Sequence, residues 1–413
     1  MHKTMNRGFI YFAVSLYIPA FFITLGFGLV SPVLPLYAQT FGVPYAMVAL
    51  ITTANALGRI ICDIPLGALC DKLGRRNLAI LGPLIVTVSA ILCGLAQGFY
   101  ELLFYRALTG IGMAMWMIAR QAIVADSVDP SIRGRVMSTF MGINMVGMGT
   151  GPAVGGIVAE FWGYRAPFFF YAASTFISLV ACLILVREPT TTLTQSEKRS
   201  TLRVNLRQFI SFLTFPILMT ALANLMVHLR FATRTVLIPL FGNNVLNLTF
   251  GEIGVVLSAS TFANLLMVVP GGFIVDRFGR KAGFVPSLVL TGITFAVFPL
   301  SSDFISAAFF SALIGISQGI GAGATLTMAA DLSPEGYRGL LRVLEYHRRY
   351  WKCGWACTLG ARRRLLWVNS LLLFFSSLSV CQRWNNSFLC QEDTDETRSR
   401  VAQQNRKQLL FSF

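Results

Sequence analysis

Charge is scarce in this sequence: Asp, Glu, Lys and Arg make up 13% of 413 residues, about half the fraction of a soluble domain. Acids are scarcer than bases, 18 against 34, for a formal net charge of +16. With 55% hydrophobic residues and a mean hydropathy of +0.65, an ordinary solvated surface is excluded. Paired cysteine is missing too. The eight Cys show no CxxC spacing, and Cys353 and Cys357 stand without nearby partners, so no zinc site is expected. No Ser/His/Asp arrangement, metal-ligand set or nucleotide-cradling loop is apparent, so an intramembrane enzyme ranks behind other readings and no cofactor is implied. The first apolar run is too long for a cleavable signal peptide, and no small-residue cleavage site stops it.

What is abundant is apolar sequence, gathered into runs of roughly 20 residues that can cross a bilayer as helices. Helices are the expected form because in lipid the backbone must satisfy its own hydrogen bonds. The predicted spans are Phe9–Leu36, Tyr45–Leu69, Leu78–Ala96, Tyr100–Val124, Arg135–Phe161, Pro167–Val186, Phe209–Leu240, Glu252–Val275, Gly283–Leu300 and Phe304–Ala329. Lys72, Arg75, Arg76, Arg133, Arg135, Arg277, Arg280, Lys281 and the bases of the polar stretch 187–208 all fall on one face of this arrangement. The other face has only Arg165. That one-sidedness is the topology bias of a membrane protein, not a nucleic-acid footprint, and it puts the N-terminus in the cytoplasm. The lipid bilayer of the plasma membrane is the expected setting.

Residues 65–77 read PLGALCDKLGRRN and residues 270–281 read PGGFIVDRFGRK. Asp276 follows Asp71 by 205 residues, and the same interval separates Arg280 from Arg75, Asp331 from Asp126, Gly339 from Gly134 and Gly315 from Gly110. One period across separated segments means two homologous halves. The organisation expected is a six-helix half over 1–186, a cytoplasmic linker over 187–208, a partial second half over 209–340 and an aberrant tail over 341–413. In the doubled turn, Gly74 lets the chain tighten. Asp71, just past the predicted helix end, can accept hydrogen bonds from backbone donors or an Arg.

This pair of turns resembles the loop signature of the major facilitator superfamily. Gly67, Asp71, Gly74, Arg75 and Arg76 match in the first copy, and Gly271 or Gly272, Asp276, Gly279, Arg280 and Lys281 in the second. The resemblance covers residues 9 to 340. It implies an all-α integral membrane protein of two pseudo-symmetric six-helix halves that rock about a central site, with the turns acting as a conformational latch. Here about ten spans are clear and the second half is truncated. Further stretches resemble the drug/proton antiporter subgroup: GFGLVSPVLP from Gly26, RALTGIG from Arg106, and GMGTGPAVGG, which fits G-x-x-x-G-P-x-x-G-G at Gly147, Gly151, Pro152, Gly155 and Gly156. Small residues four apart let a neighbouring helix approach closely, and Pro152 removes a backbone hydrogen bond and bends its helix. The resemblance implies proton-coupled efflux of hydrophobic or amphipathic small molecules by a monomer. A metabolite or sugar symporter is the alternative within transport, and a non-transporting membrane protein the alternative outside it.

Ionisable groups inside spans are costly and therefore candidates for function. Arg106 is the first, at a position that the resemblance associates with proton coupling. Asp63 is the second: it pairs with Arg59 at i, i+4 and shares a helix face with Gly67 and Asp71. The first span lacks any Asp or Glu, which some related pumps carry there. Asn224, His228, Arg230 and Arg234 form a polar cluster in the seventh span, where the two arginines are expected to snorkel towards the outer interface. Met113, Met115, Trp116, Met117 and Met145 would suit varied apolar cargo, although core packing and lipid contact explain Met equally well.

Beyond Gly339 the repeat predicts an eleventh helix with a Gly near residue 352. The chain instead reads LLRVLEYHRRYWKCGWACTLGARRR, with too many charges to span lipid cheaply. A reading frame displaced by one base accounts for this. Trp has the single codon TGG, so Trp351 before Lys and Trp355 before Ala both become Gly, restoring a G-x-x-x-G spacing. A divergent soluble tail or a spliced end are the alternatives. On the frameshift reading the product lacks its last two helices and is impaired in transport, and the run Leu365–Cys381 inserts by accident.

Overall fold

The computed structural model describes residues 2–128, 130–186 and 215–322. The linker over 187–208, the end of the tenth predicted span and the tail over 341–413 lie outside the described residues. The regular structure described is helical throughout: α1 (His2–Val30), α2 (Leu34–Gln39), α3 (Tyr45–Leu73), α4 (Arg75–Leu95), α5 (Phe99–Ser127), α6 (Pro130–Trp162), α7 (Ala166–Leu185), α8 (Phe215–Asn244), α9 (Phe250–Phe278), α10 (Arg280–Val297) and α11 (Phe304–Ile320), with a 3-10 turn at Phe298–Leu300. Apart from short α2, each helix corresponds to one predicted span. Five described segments are long and apolar enough to cross a membrane by composition alone: Arg75–Leu95, Phe99–Val124, Ala166–Leu185, Phe250–Phe278 and Lys281–Leu300. Helices α3, α6 and α8 are as long and carry glycines, hydroxyls and arginines among their apolar residues.

Three predicted boundaries are corrected. The first span does not run through to Leu36: it breaks after Val30 and restarts as α2. Pro32 cannot continue the hydrogen-bond ladder, whereas Pro35 suits the first turn of the new helix. Ser31 closes the break by donating from its N–H (3.1 Å) and its Oγ (2.9 Å) to the Gly28 carbonyl. Asp71 lies within the last turn of α3 rather than past its end, because the turn is tighter than expected. Gly74 alone joins α3 to α4, at φ 83°, and Gly279 alone joins α9 to α10, at φ 86°. With ψ near 150–165° this is a backbone region open essentially to glycine. Arg133 and Arg135 likewise sit in the first turns of α6, not in a loop. There the Arg133 guanidinium donates to the Val128 carbonyl at 3.1 Å and braces the α5–α6 turn.

The first half is built from α1 against α6 and α7, α3 against α5, and α4 against α5 and α7. The second pairs α9 and α10 with α11. The 205-residue period reappears as geometry. A Cβ on Gly110 of α5 would collide with the Asn55 carbonyl of α3, and one on Gly315 of α11 would collide with the Ser260 carbonyl of α9. Both members of each pair are related by 205 positions. Two packed cores result. One, at the α2 end of the bundle, joins Tyr37, Phe168 and Tyr171 to Ile238, Phe241 and Ile253 of the second half. The other, near Gly74, is internal to the first half and contains Leu78, Trp116 and Phe140. Trp116 and Met115 are thus core residues of the first half. Caps finish the short connections: Thr249 and Glu252 form a capping box on α9, and Asp303 and Ser306 one on α11. Hydrogen bonds from Ser306 hold the Asp303 carboxyl below its ordinary range.

Replacing Gly74 or Gly279 by Ala is expected to destabilise the fold by about 1–3 kcal/mol each. Gly98→Ala, at φ −143° with open space around its Cβ, is the matched control and is expected to be nearly neutral. Thermal unfolding of the purified protein checks the contrast.

Candidate functional site

Helix α6 is held on two faces at once. Gly147, Gly151 and Gly155 form a row at i, i+4 and i+8 that lets α1 approach backbone to backbone. A Cβ on Gly151 would sit 2.6 Å from both Gly28 Cα and the Leu25 carbonyl, and one on Gly155 would collide with Leu29. The opposite face meets α9 of the second half. Cβ atoms on Gly156 and Gly254 would strike the Phe250 and Pro152 carbonyls, respectively. Polar contacts tie this seam: the Ala153 N–H donates to Ser258 Oγ at 2.9 Å, and the Gly251 N–H donates to Glu160 Oε2 at 3.0 Å. Tyr164 meets Phe250 edge to face at 5.1 Å. Nearby, Asn244 Nδ2 reaches Tyr45 Oη at 3.4 Å. The glycines and Pro152 were legible in the sequence. Ser258 and Glu160 were not, since a lone Ser or a Glu near a helix end carries no pattern.

Arg106 lies inside the first half, only 3% exposed. Its Cζ stands 5.8 Å from the Phe27 ring centroid, and Nε has no hydrogen-bond partner. Asn55 Nδ2 reaches its carbonyl at 3.5 Å, and Cys93 and Tyr171 lie within range of its charge. Among the described residues no carboxylate meets the guanidinium. The 205-residue equivalent of Arg106 is Ser311, fully buried and donating to the Val256 carbonyl at 2.8 Å. The cation is therefore a feature of one half only. Asp63 and Asp71 belong to α3, but their side chains lie outside the described residues, as do those of Gly67, Arg280, Asn224 and His228. Arg59, the expected partner of Asp63, donates to Met117 Sδ at 2.8 Å.

Arg230 and Arg234 do not snorkel. They are 6% and 5% exposed. Arg230 Nη1 donates to Ser287 Oγ at 3.1 Å and Thr291 Oγ1 at 3.3 Å. Arg234 donates from Nη1 to Ser260 Oγ at 3.0 Å and from Nη2 to Thr261 Oγ1 at 3.5 Å. The snorkelling expectation fails because α9 and α10 offer hydroxyls at the depth of these arginines, so the heads need not reach water. A usable sequence signal existed: Ser287 and Thr291 stand at i, i+4, and Ser260 is the repeat equivalent of Asn55.

The doubled turns share one backbone form but differ in their described side-chain contacts. Arg76 Nη2 donates to the Leu183 carbonyl at 3.3 Å and ties the first turn to the end of α7. Arg277 lies over the Phe278 ring at 5.6 Å, and Asp276 and Lys281 are exposed.

A sequence profile of the Major Facilitator Superfamily matches residues 16–230 and 223–341. The chain belongs to the major facilitator superfamily. As a superfamily member it is a multi-pass membrane transporter rather than an enzyme, with a small molecule as substrate. It is 25% identical over 374 residues to Multidrug resistance protein 2 of Bacillus subtilis (strain 168), covering 83% of this chain and 92% of that protein. It is 28% identical over 214 residues to Quinolone resistance protein NorA of Staphylococcus aureus (strain MSSA476), covering 51% of this chain and 54% of that one. Among solved structures, it superposes on a bacterial homologue of the human lysosomal transporter Spinster in an inward-facing, unoccupied conformation. The TM-score is 0.67 at 18% identity, with 84% of this chain and 80% of that one covered. A D-xylose–proton symporter gives a TM-score of 0.66 at 16% identity, covering 82% and 87%. At these identities the likeness is one of fold.

In this transporter Gly151→Leu is expected to overpack the α1–α6 contact and cost about 1–3 kcal/mol. Gly142→Leu, on the same helix with open space around its Cβ, is expected to be tolerated. Melting temperatures and the passive leak of reconstituted vesicles separate the two.

Proposed function

We propose that this transporter exports hydrophobic or amphipathic small molecules across the plasma membrane in exchange for protons, as a monomer with its N-terminus in the cytoplasm. The observation that carries the reading is the α6 seam, where the antiporter-type row of Gly147, Gly151, Pro152, Gly155 and Gly156 joins α1 of its own half to α9 of the other. The likeness to Multidrug resistance protein 2 over 92% of its length supports the cargo class. The loop arginines and lysines support the orientation, with the Gly74 and Gly279 turns inside and the Trp162 end of α6 outside. On that orientation the bonds that Ser258 and Glu160 accept from the facing backbone close the outer mouth. The turns around Asp71 and Asp276 latch and release the inner one.

Arg106 cannot readily lose its proton, so its part in coupling is to bias a nearby acid, with Asp63 the candidate carrier, or to hold a water chain. The tail over 341–413 is read as the product of a frameshift that impairs turnover. The end of the second superfamily match at residue 341 supports that boundary.

The test is efflux of a lipophilic dye from cells expressing either this chain or a version restored to the plus-one frame after Gly339, with and without a protonophore. The restored version is expected to lower dye accumulation in a protonophore-sensitive way, and the chain as written to do so less. Equal pumping by both, with the 413 residues confirmed by intact mass, would contradict the impairment, and an early stop in the shifted frame would remove its premise. In the restored version, Asp71→Asn is expected to abolish efflux without loss of membrane insertion, by removing charge-assisted bonds worth about 1.5–3 kcal/mol. Arg106→Ala is expected to leave folding intact and remove the protonophore-sensitive part of the efflux.

A further inference from the structure

The second half holds two buried cations that nothing described balances. Arg230 and Arg234 sit one helical turn apart on α8, near enough for their like charges to act on each other. Their described acceptors are hydroxyls: Ser287 and Thr291 for Arg230, Ser260 and Thr261 for Arg234. Three of those hydroxyls have their own protons committed to backbone carbonyls. Ser287 Oγ donates to Ser317 at 2.7 Å, Thr291 Oγ1 to Ser287 at 2.7 Å and Thr261 Oγ1 to Leu257 at 3.1 Å. Their lone pairs are thereby turned to the guanidinium groups, which fixes the arginines in place. A hydroxyl supplies a dipole and no charge, so the described residues hold the cations without neutralising them, and an uncompensated buried charge is strongly disfavoured.

Donor capacity is left over as well. Arg234 Nε is buried without a hydrogen-bond partner, and so is Gln318 Nε2, beside the Ser317 that takes part in the same hydroxyl network. The described carboxylates are employed elsewhere. Glu101, Glu160, Glu252 and Asp303 accept from backbone N–H groups at helix ends, and Asp276 is exposed at the Gly279 turn. Two fixed, planar donor forks, the Arg234 one with its Nε–H unused, and no anion beside them among the described residues match the geometry of a carboxylate or phosphate.

We infer that Arg230 and Arg234 bind the anionic headgroup, carboxylate or phosphate, of an amphipathic ligand. That this ligand is the cargo rests on the export reading above; that the site binds an anion does not. The selectivity follows from charge. A cationic amphiphile of the same chain length meets two like charges, whereas an anionic one supplies the missing counter-ion.

The test uses the full 413-residue chain in a non-ionic detergent and follows thermal unfolding against dodecanoate and dodecyltrimethylammonium, each below its micellar concentration. Dodecanoate is expected to raise the melting temperature saturably and dodecyltrimethylammonium not to. In folded Arg230→Gln and Arg234→Gln variants, dodecanoate affinity is expected to fall by about tenfold or more for each charged donor lost. Arg234→Lys, which keeps the charge but not the fork, should fall in between. Should the glutamine variants fail to fold, the comparison of the two amphiphiles on the unaltered chain still decides. Repeating the titration in phosphatidylcholine nanodiscs with and without phosphatidylglycerol identifies the source of the anion. Competition by phosphatidylglycerol assigns the site to a lipid headgroup, and its absence assigns it to a soluble carboxylate. Equal responses to the two amphiphiles, or unchanged dodecanoate affinity in the folded glutamine variants, would overturn the anion site. Dodecanoate binding alongside absent efflux by the frame-restored version would instead leave the site standing and overturn the export reading.

Discussion

The structure depends on how closely backbones approach along α6. In lipid there is little hydrophobic gain when one apolar helix meets another, so association rests on contact density and polar ties. Gly147, Gly151 and Gly155 remove the side chains that would hold α1 away, while Gly156 and the facing Gly254 do the same between α6 and α9. A single helix thereby belongs sterically to both halves. The contact within the first half is nearly bare backbone, and the contact across the halves adds hydrogen bonds that Ser258 and Glu160 accept from backbone N–H groups. Such a seam has little side-chain entropy to lose and few bonds to break.

The two halves share a scaffold but not its electrostatics. The repeat is visible at atomic detail in the paired approaches of Gly110 to Asn55 and Gly315 to Ser260. At the matching position in the repeat, however, the first half buries Arg106 and the second buries Ser311. The second half carries its buried cations on α8 instead, against α9 and α10. Symmetry is therefore kept where backbones touch and abandoned where charge is placed, so the halves can move alike while interacting differently with whatever lies between them.

Much of this was legible from residue patterns alone. The length of apolar runs, the 205-residue period and the glycine row specify helices, halves and the seam, because each depends on side-chain size or polarity at a fixed spacing. Less legible were features that depend on depth and partner. Arg230 and Arg234 read as interfacial because arginine usually seeks water, and only the placement of Ser260, Thr261, Ser287 and Thr291 reverses that. The break after Val30 was hidden within a continuous apolar run, where Pro32 and Pro35 could equally have marked a kink. Asp71 was placed beyond its helix because a turn is normally given several residues, and here it has one.

That one-residue joint has a mechanical meaning. Consecutive Cα atoms are fixed at 3.8 Å, so a connection made of Gly74 alone has no slack to take up sliding between α3 and α4, and Gly279 gives none to α9 and α10. Each pair can pivot at its single-residue joint but not stretch there. Any tilt of one helix about that joint necessarily displaces the charged residues beside it, Arg75 and Arg76 at the first turn and Asp276 and Lys281 at the second.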